Sequence, residues 1–233
     1  MNIIITGASR GIGYETALQL CREGHHVIAV ARNGRGLEKL RNAVAAAGAD
    51  NRLMLLPVDI VSEKDVQELV YRARTLNGRV DVLINNAGLL LNKPFTSITR
   101  EELREVYEVN VFAPFRLMQA LLPLMEGGGH IVNISSMGGV QGSAKFPGLA
   151  AYSSSKAAIA NLTELLAEEL KEKRVAVNCL ALGAAQTEML EAAFPGYRAP
   201  LSAGEMAGFI GWFAVNGARF FNGKILPVAV STP

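Results

Sequence analysis

Seven short apolar runs, each suited to a fully buried strand, alternate with helix-period segments along nearly the whole chain, and no other feature narrows the fold so far. The runs are Ile3–Thr6, Val27–Ala31, Leu53–Val58, Val82–Ile84, His130–Ile134, Val175–Leu180 and Ile225–Val230. Helical patterns fill the intervals at Ile12–Glu23, Leu37–Ala47, Glu63–Leu76, Arg100–Met125, Ser153–Lys171 and Ser202–Val215. Thr99 with Glu102 three residues on reads as a capping box, and Ser62 with Asp65 as a weaker one. Gly24, Gly48 and Gly78 stand where helices should stop. Buried strands alternating with helices predict an α/β fold, a seven-stranded parallel sheet covered on both faces. No linker or repeat interrupts residues 1–233, so the expectation is one doubly wound domain. In such sheets ligands lie beyond the carboxyl ends of the strands, and the chemistry is sought there.

Composition removes other classes. Half of the 233 residues are hydrophobic and 19% are charged, too apolar for a disordered chain. A net charge of +2 with scattered Lys and Arg gives no nucleic-acid surface. Cys21 and Cys179 share no metal or redox spacing and read as buried, reduced thiols. His25, His26 and His130 stand at strand beginnings and read as surface or structural residues; no cluster has metal spacing. The apolar stretch Phe115–Met125 is too short for a bilayer and is broken by Arg116 and Pro123. A strand already at Asn2–Thr6 argues against a signal peptide. A soluble, cytoplasmic protein without membrane or nucleic-acid partners is expected.

The first strand runs into Gly7-Ala8-Ser9-Arg10-Gly11-Ile12-Gly13 and a helix follows. Glycines there allow a tight turn and let backbone approach a pyrophosphate at the helix N-terminus. By itself the stretch could be a plain strand-to-helix turn. At the end of the second strand, where NAD sites carry an acid for the ribose 2′-hydroxyl, this chain has Arg32. Arg32, with Arg10 from the other side, suits a 2′-phosphate, so NADP(H) is favoured over NAD(H). Tyr152 and Lys156 are four apart at a helix opening, on one face. A nearby ammonium is expected to lower the phenol pKa toward neutrality and fit it for acid–base work.

The G-x-x-x-G-x-G spacing, Asn85-Asn86-Ala87-Gly88 after the fourth strand, and Tyr152-x-x-x-Lys156 after the serine-ended strand His130–Ser136 resemble the classical short-chain dehydrogenase/reductase family. The resemblance spans residues 2–193 in the family's order. It implies a Rossmann-type fold and hydride transfer between a nicotinamide cofactor and a carbonyl or alcohol. By it Tyr152 is the general acid/base, Ser136 holds the substrate oxygen, Lys156 assists the phenol and holds the nicotinamide ribose, and Asn110 orders a relay water. It further implies that Gly7, Ser9, Arg10, Gly11, Ile12, Gly13, Arg32, Asp59, Ile60, Asn86, Ala87, Gly88 and Thr187 contact cofactor, Asp59 at the adenine and Thr187 at the carboxamide.

Three departures stand out. Ser136 and Tyr152 are sixteen residues apart, with extra length near Ser143-Ala144-Lys145. Leu182-Gly183 replaces the usual Pro-Gly, which should loosen that turn. The substrate lid, about 187–204, is short, its apolar residues Met189, Leu190, Phe194 and Tyr197 suggest an apolar substrate, and the tail to Pro233 lacks the usual Asp-Gly-Gly. The substrate class expected is a ketone or 3-oxoacyl compound. The alternative is a silent dinucleotide-binding sensor or scaffold of the same fold; all four catalytic positions being filled speaks for an enzyme. Apolar excess on Arg100–Met125 and Ser153–Lys171 predicts a homodimer or homotetramer.

Overall fold

In the computed structural model, residues 1–75 and 78–230 are described. The expected helix end at Leu76 and the tail residues Ser231–Pro233 lie outside them. The elements follow in the order β1 (Asn2–Thr6), α1 (Gly11–Arg22), β2 (His26–Val30), α2 (Gly34–Ala46), β3 (Leu53–Leu56), α3 (Glu63–Thr75) and β4 (Val82–Asn85). Next come α4 (Arg100–Tyr107), α5 (Ala113–Leu121), β5 (His130–Ser136), α6 (Ala150–Glu169) and β6 (Ala176–Leu182). The last are β7 (Ala185–Gln186), α7 (Glu188–Ala193), β8 (Leu201–Ser202), α8 (Ala203–Asn216) and β9 (Ile225–Val228).

Seven strands form one sheet in the order β3-β2-β1-β4-β5-β6-β9, every neighbouring pair parallel. The fold is the expected Rossmann-type sheet. Side chains alternate across it, so Ile3 and Ile5 point into a core with α1, α2 and α8, where Leu20, Leu40 and Phe213 pack. Ile4 points the other way, into a core with α3, α5 and α6 through Leu69, Leu117 and Ile159. Such two-sided burial is why the strands read as continuous apolar runs. Chain order reverses between β1 and β4, and the crevice beyond their carboxyl ends is the expected ligand position.

Prolines account for the shortened β3 and for the break in the long helix. Pro57 has no N–H for the ladder, and β3 stops at Leu56 rather than Val58. Pro227 is accommodated because β9 is an edge strand. The continuous helix expected over Arg100–Met125 is not formed. α4 gives way to a π turn at Glu108–Phe112, α5 follows, and a 3₁₀ turn at Leu122–Leu124 ends the segment. Pro114 cannot donate to the Asn110 carbonyl four residues back, and its ring would collide with it. The chain loops wider instead, with Ala113 N–H bonding Glu108 O. The Thr99–Glu102 capping box is present, and Ser62 Oγ accepts from Asp65 N at 3.3 Å. Gly24, Gly48 and Gly78 all take positive φ just past helix ends. A further capping box, Ser202–Glu205, opens α8.

Candidate active site

At the end of β1 the backbone bends at Gly7 (φ +72°) and Gly11 (φ +56°), which only glycine adopts without strain. A Cβ on Gly13 would lie 2.3 Å from the Gly7 carbonyl oxygen, so the loop is closed to any side chain there. Thr6, which sequence reasoning passed over, stitches this loop to the fourth strand. Its hydroxyl accepts from Asn86 N at 3.1 Å and Ala87 N at 3.0 Å, while Asn86 Nδ2 donates back to Thr6 O at 2.9 Å. Its only signal in sequence was a hydroxyl residue at a strand end.

One cavity of about 790 Å³ runs along the sheet's carboxyl edge, within the usual size of ligand pockets. Gly7, Ser9, Arg10, Gly11, Ile12 and Gly13 line it, and so do Arg32, Asp59, Ile60, Asn86, Ala87, Gly88 and Thr187. Ser136, Tyr152 and Lys156 line its other end. Of the sequence-chosen residues only Asn110 stands behind the wall, 1% exposed. The two arginines are not free. Arg32 Nη1 is 3.8 Å from Asp59 Oδ2, and Arg10 Nη1 is 3.2 Å from Glu188 Oε2.

At the end lined by Ser136, β5 delivers that serine, and α6 begins at Ala150, three residues before its expected start. Tyr152 and Lys156 thus project from its first two turns. Lys156 is 4% exposed; its ammonium donates to Ile134 O at 2.8 Å and lies 5.9 Å from the centre of the Tyr152 ring. Burial pulls the Lys156 pKa down to about 8, with the buried Cys179 thiol opposing. The expected lowering of the Tyr152 pKa does not occur in the chain by itself. Burial raises it, and a side-chain hydrogen bond with Ser136 opposes that rise only in part. Asn110 sits in the π turn, where Oδ1 accepts from Leu89 N at 2.8 Å and Nδ2 donates to Leu89 O and Ser155 Oγ, both at 2.9 Å. Ser155 in turn donates to Tyr152 O at 2.7 Å, so Asn110 braces the opening of α6. Ser135, one residue before Ser136, donates to Lys156 O at 2.7 Å.

This arrangement has many counterparts among known proteins. The family model described as short chain dehydrogenase matches residues 1–198. The chain belongs to that family. Ketoacyl reductase HetN of Nostoc sp. (strain PCC 7120) is 36% identical over 183 residues, 78% of this chain; the match spans only 62% of that relative's length. The 3-oxoacyl-(acyl-carrier-protein) reductase FabG of Pseudomonas aeruginosa is 30% identical over 237 residues, covering 97% of this chain and 94% of the relative. Among solved structures, ElxO with NADP bound superposes with a TM-score of 0.86 at 27% identity, over 97% of this chain and 95% of that one.

As a short-chain dehydrogenase the chain departs from expectation at one turn. The Gly183 turn is not loose: Gly183 N donates to Val228 O at 2.9 Å, and a Cβ there would meet Ala229 Cβ at 2.7 Å. Packing against the strand β9 replaces the stiffening a proline would give. The segment expected to form the lid carries secondary structure of its own. It holds α7, capped by Thr187 Oγ1 accepting from Leu190 N at 3.2 Å, and the small β7–β8 ladder. Thr187 before Glu188 was the available N-cap signal. The longer loop between Ser136 and Tyr152 is tied by Lys145, whose ammonium donates to Gly138 O at 2.9 Å and Ser143 Oγ at 2.8 Å.

Proposed function

We propose that this short-chain dehydrogenase is an NADP(H)-dependent oxidoreductase acting on a carbonyl/alcohol pair, with Tyr152 as its general acid/base. The observation that carries the reading is the convergence of Ser136, Tyr152 and Lys156 on the same cavity as the glycine loop. A dinucleotide fits that loop, because Gly7, Gly11 and Gly13 leave backbone exposed where any Cβ would intrude or be strained. Residues Gly7–Gly13 would hold the pyrophosphate, Arg32 and Arg10 the 2′-phosphate, Asp59 and Ile60 the adenine. Asn86, Ala87, Gly88 and Thr187 would line the nicotinamide side. A bound nicotinamide supplies the hydride.

The side chains manage the proton. A Tyr152 phenol held above its ordinary pKa is protonated at neutral pH and can donate to a carbonyl oxygen. Ser136, which lines the same cavity as the phenol, would hold the same oxygen. Lys156 keeps a cation near the phenolate left behind and would reach the nicotinamide ribose. Asn110, by bracing α6 and the Leu89 backbone, holds the relay geometry behind Lys156. Phe146, Leu149, Leu190, Phe194 and Tyr197 line the substrate end, which favours an apolar ketone or a 3-oxoacyl compound.

We further assign the chain to the cytoplasm as one dinucleotide-binding domain, consistent with two free, buried cysteines. Among the described residues no helix is long and apolar enough to cross a membrane. The test is a panel of 3-oxoacyl thioesters, ketosteroids, sugar ketones and aromatic ketones, with NADPH or NADH consumption followed by absorbance. Turnover with NADPH preferred is expected, and Arg32→Asp should shift the preference toward NADH. Tight cofactor binding with no turnover across the panel would favour the sensor reading instead.

A further inference from the structure

Arg10 is joined to a residue 178 positions away on the opposite side of the cavity mouth. Its Nη1 lies 3.2 Å from Glu188 Oε2, at the first residue of α7. The contact closes over the glycine loop, where a Cβ on Gly11 would lie 3.4 Å from the Thr187 methyl. Both partners are largely exposed, with side-chain accessibilities of 59% and 71%, so the guanidinium is free to exchange one anion for another. An arginine with five donors is suited to a carboxylate and a phosphate alike, but one fork cannot grip both at full strength.

We propose that Glu188 is a determinant of cofactor specificity, its carboxylate competing with the ribose 2′-phosphate of NADP(H) for Arg10. The proposal rests on the reading that Arg10 takes part in holding that phosphate. Part of the preference for the phosphorylated cofactor is then spent in breaking the Arg10–Glu188 pair, and NADH, which has no such phosphate, leaves the pair intact. Asp59 stands in the same relation to Arg32 at 3.8 Å, but its Oδ1 also accepts from Val61 N, so its turn is not open to a clean substitution. Among the described residues the Glu188 carboxylate has no hydrogen-bond partner besides Arg10. The lid helix keeps its Thr187 cap, and its far end is fastened by Asn92 Nδ2 donating to Ala193 O at 2.8 Å. Glu188→Gln therefore removes the charge without undoing the lid.

The experiment titrates NADPH and NADH into the wild type, Glu188→Gln, Arg10→Gln and the double variant, reading the fluorescence of the reduced nicotinamide. Thermal melts confirm that all four are folded. Exposed pairs of this kind correspond to roughly 1.5- to 5-fold in affinity. Glu188→Gln is expected to tighten NADPH by that factor and leave NADH unchanged. The gain should vanish in the Arg10→Gln background and shrink in 1 M salt, where charges are screened within about 3 Å. Unchanged NADPH affinity in Glu188→Gln, while Arg10→Gln still weakens NADPH, would overturn the competition and leave the role of Arg10 standing. An undiminished gain in the double variant would also overturn it, since that is simple repulsion. If Arg10→Gln binds both cofactors as the wild type does, Arg10 does not hold the phosphate and the premise itself falls.

Discussion

Burial sets the protonation of single side chains here. Tyr152→Phe keeps the ring and its packing while removing the proton that the phenol would give. Turnover should fall by about 10²–10⁴-fold or more, with NADPH affinity unchanged in a direct titration. Near-full activity of the Phe variant on a good substrate would mean another group is the acid. His130, expected to be surface or structural, proves buried and structural. Its Nδ1 is 2.9 Å from Ala214 O and its Nε2 is 3.1 Å from Asn178 Nδ2. The neutral ring satisfies both by donating to the carbonyl and accepting from the amide. Burial lowers its pKa to about 4, against 6.5 for an exposed histidine, with the Ala214 contact opposing. The unfolded chain therefore binds the extra proton between about pH 6.5 and 4. Stability from this group is complete above pH 6.5 and is lost as pH falls through 4, by about 2–4 kcal/mol. Urea unfolding at pH 7 and pH 4.5 should show that loss in the wild type, and His130→Gln should lose less between the same two conditions. Equal losses would assign the acid sensitivity to other groups.

Elements meet closely where the glycine loop touches the end of β4. A Cβ on Gly13 would stand 2.3 Å from Gly7 O and 2.4 Å from Asn86 Nδ2, so Gly13→Ala must displace the loop or the Asn86 amide. Overpacking of this sort costs about 1–3 kcal/mol. We expect a lowered melting temperature and at least about tenfold weaker dinucleotide binding by fluorescence titration, a tenfold change being about 1.4 kcal/mol. Gly204→Ala is the control, because nothing lies within 4 Å of its added methyl. If both variants bind cofactor like the wild type, the loop is not the tight cradle described. The π turn at Glu108–Phe112 is the other element-scale device. It places Asn110 against both Leu89 and Ser155, which joins the loop after β4 to the opening of α6.

On the scale of the whole molecule, much of the apolar excess expected on two helical segments is spent in the core, where Val106, Leu117, Leu121 and Leu170 are buried. Leu103, Phe112 and Phe115 on the α4–α5 segment and Leu165 on α6 are all exposed, Leu165 at 60%. Exposed apolar side chains on these helices are of the kind that contacts between subunits cover. We therefore expect a closed homodimer or homotetramer. Light scattering at micromolar concentration should give twice or four times the chain mass of 24.9 kDa, and Leu165→Glu should lower that mass. A wild-type mass near 24.9 kDa would refute the assembly.

Local pattern was enough to place the seven strands, five of the six expected helices and the capping box at Thr99. A strand's period of two, a helix's i to i+4 neighbours and a glycine's positive φ are set by residues adjacent in the chain. The same holds for the Gly7–Gly13 loop, the missing acid at Arg32 and the Tyr152–Lys156 spacing, so the residues now found around one cavity could be chosen beforehand. Asn110 could be chosen too, but its surroundings could not. Its partners lie 21 and 45 residues away, and the helix carrying it breaks because Pro114 cannot serve the carbonyl behind it. The direction of the Tyr152 shift was misjudged for the same reason: the cation four residues along was visible, the burial that outweighs it was not. Arg10 and Arg32 could be chosen as cations for a phosphate, but only the fold sets Glu188 and Asp59 against them. Desolvation and long-range pairing depend on what surrounds a group from every side, and only the packed chain supplies those surroundings.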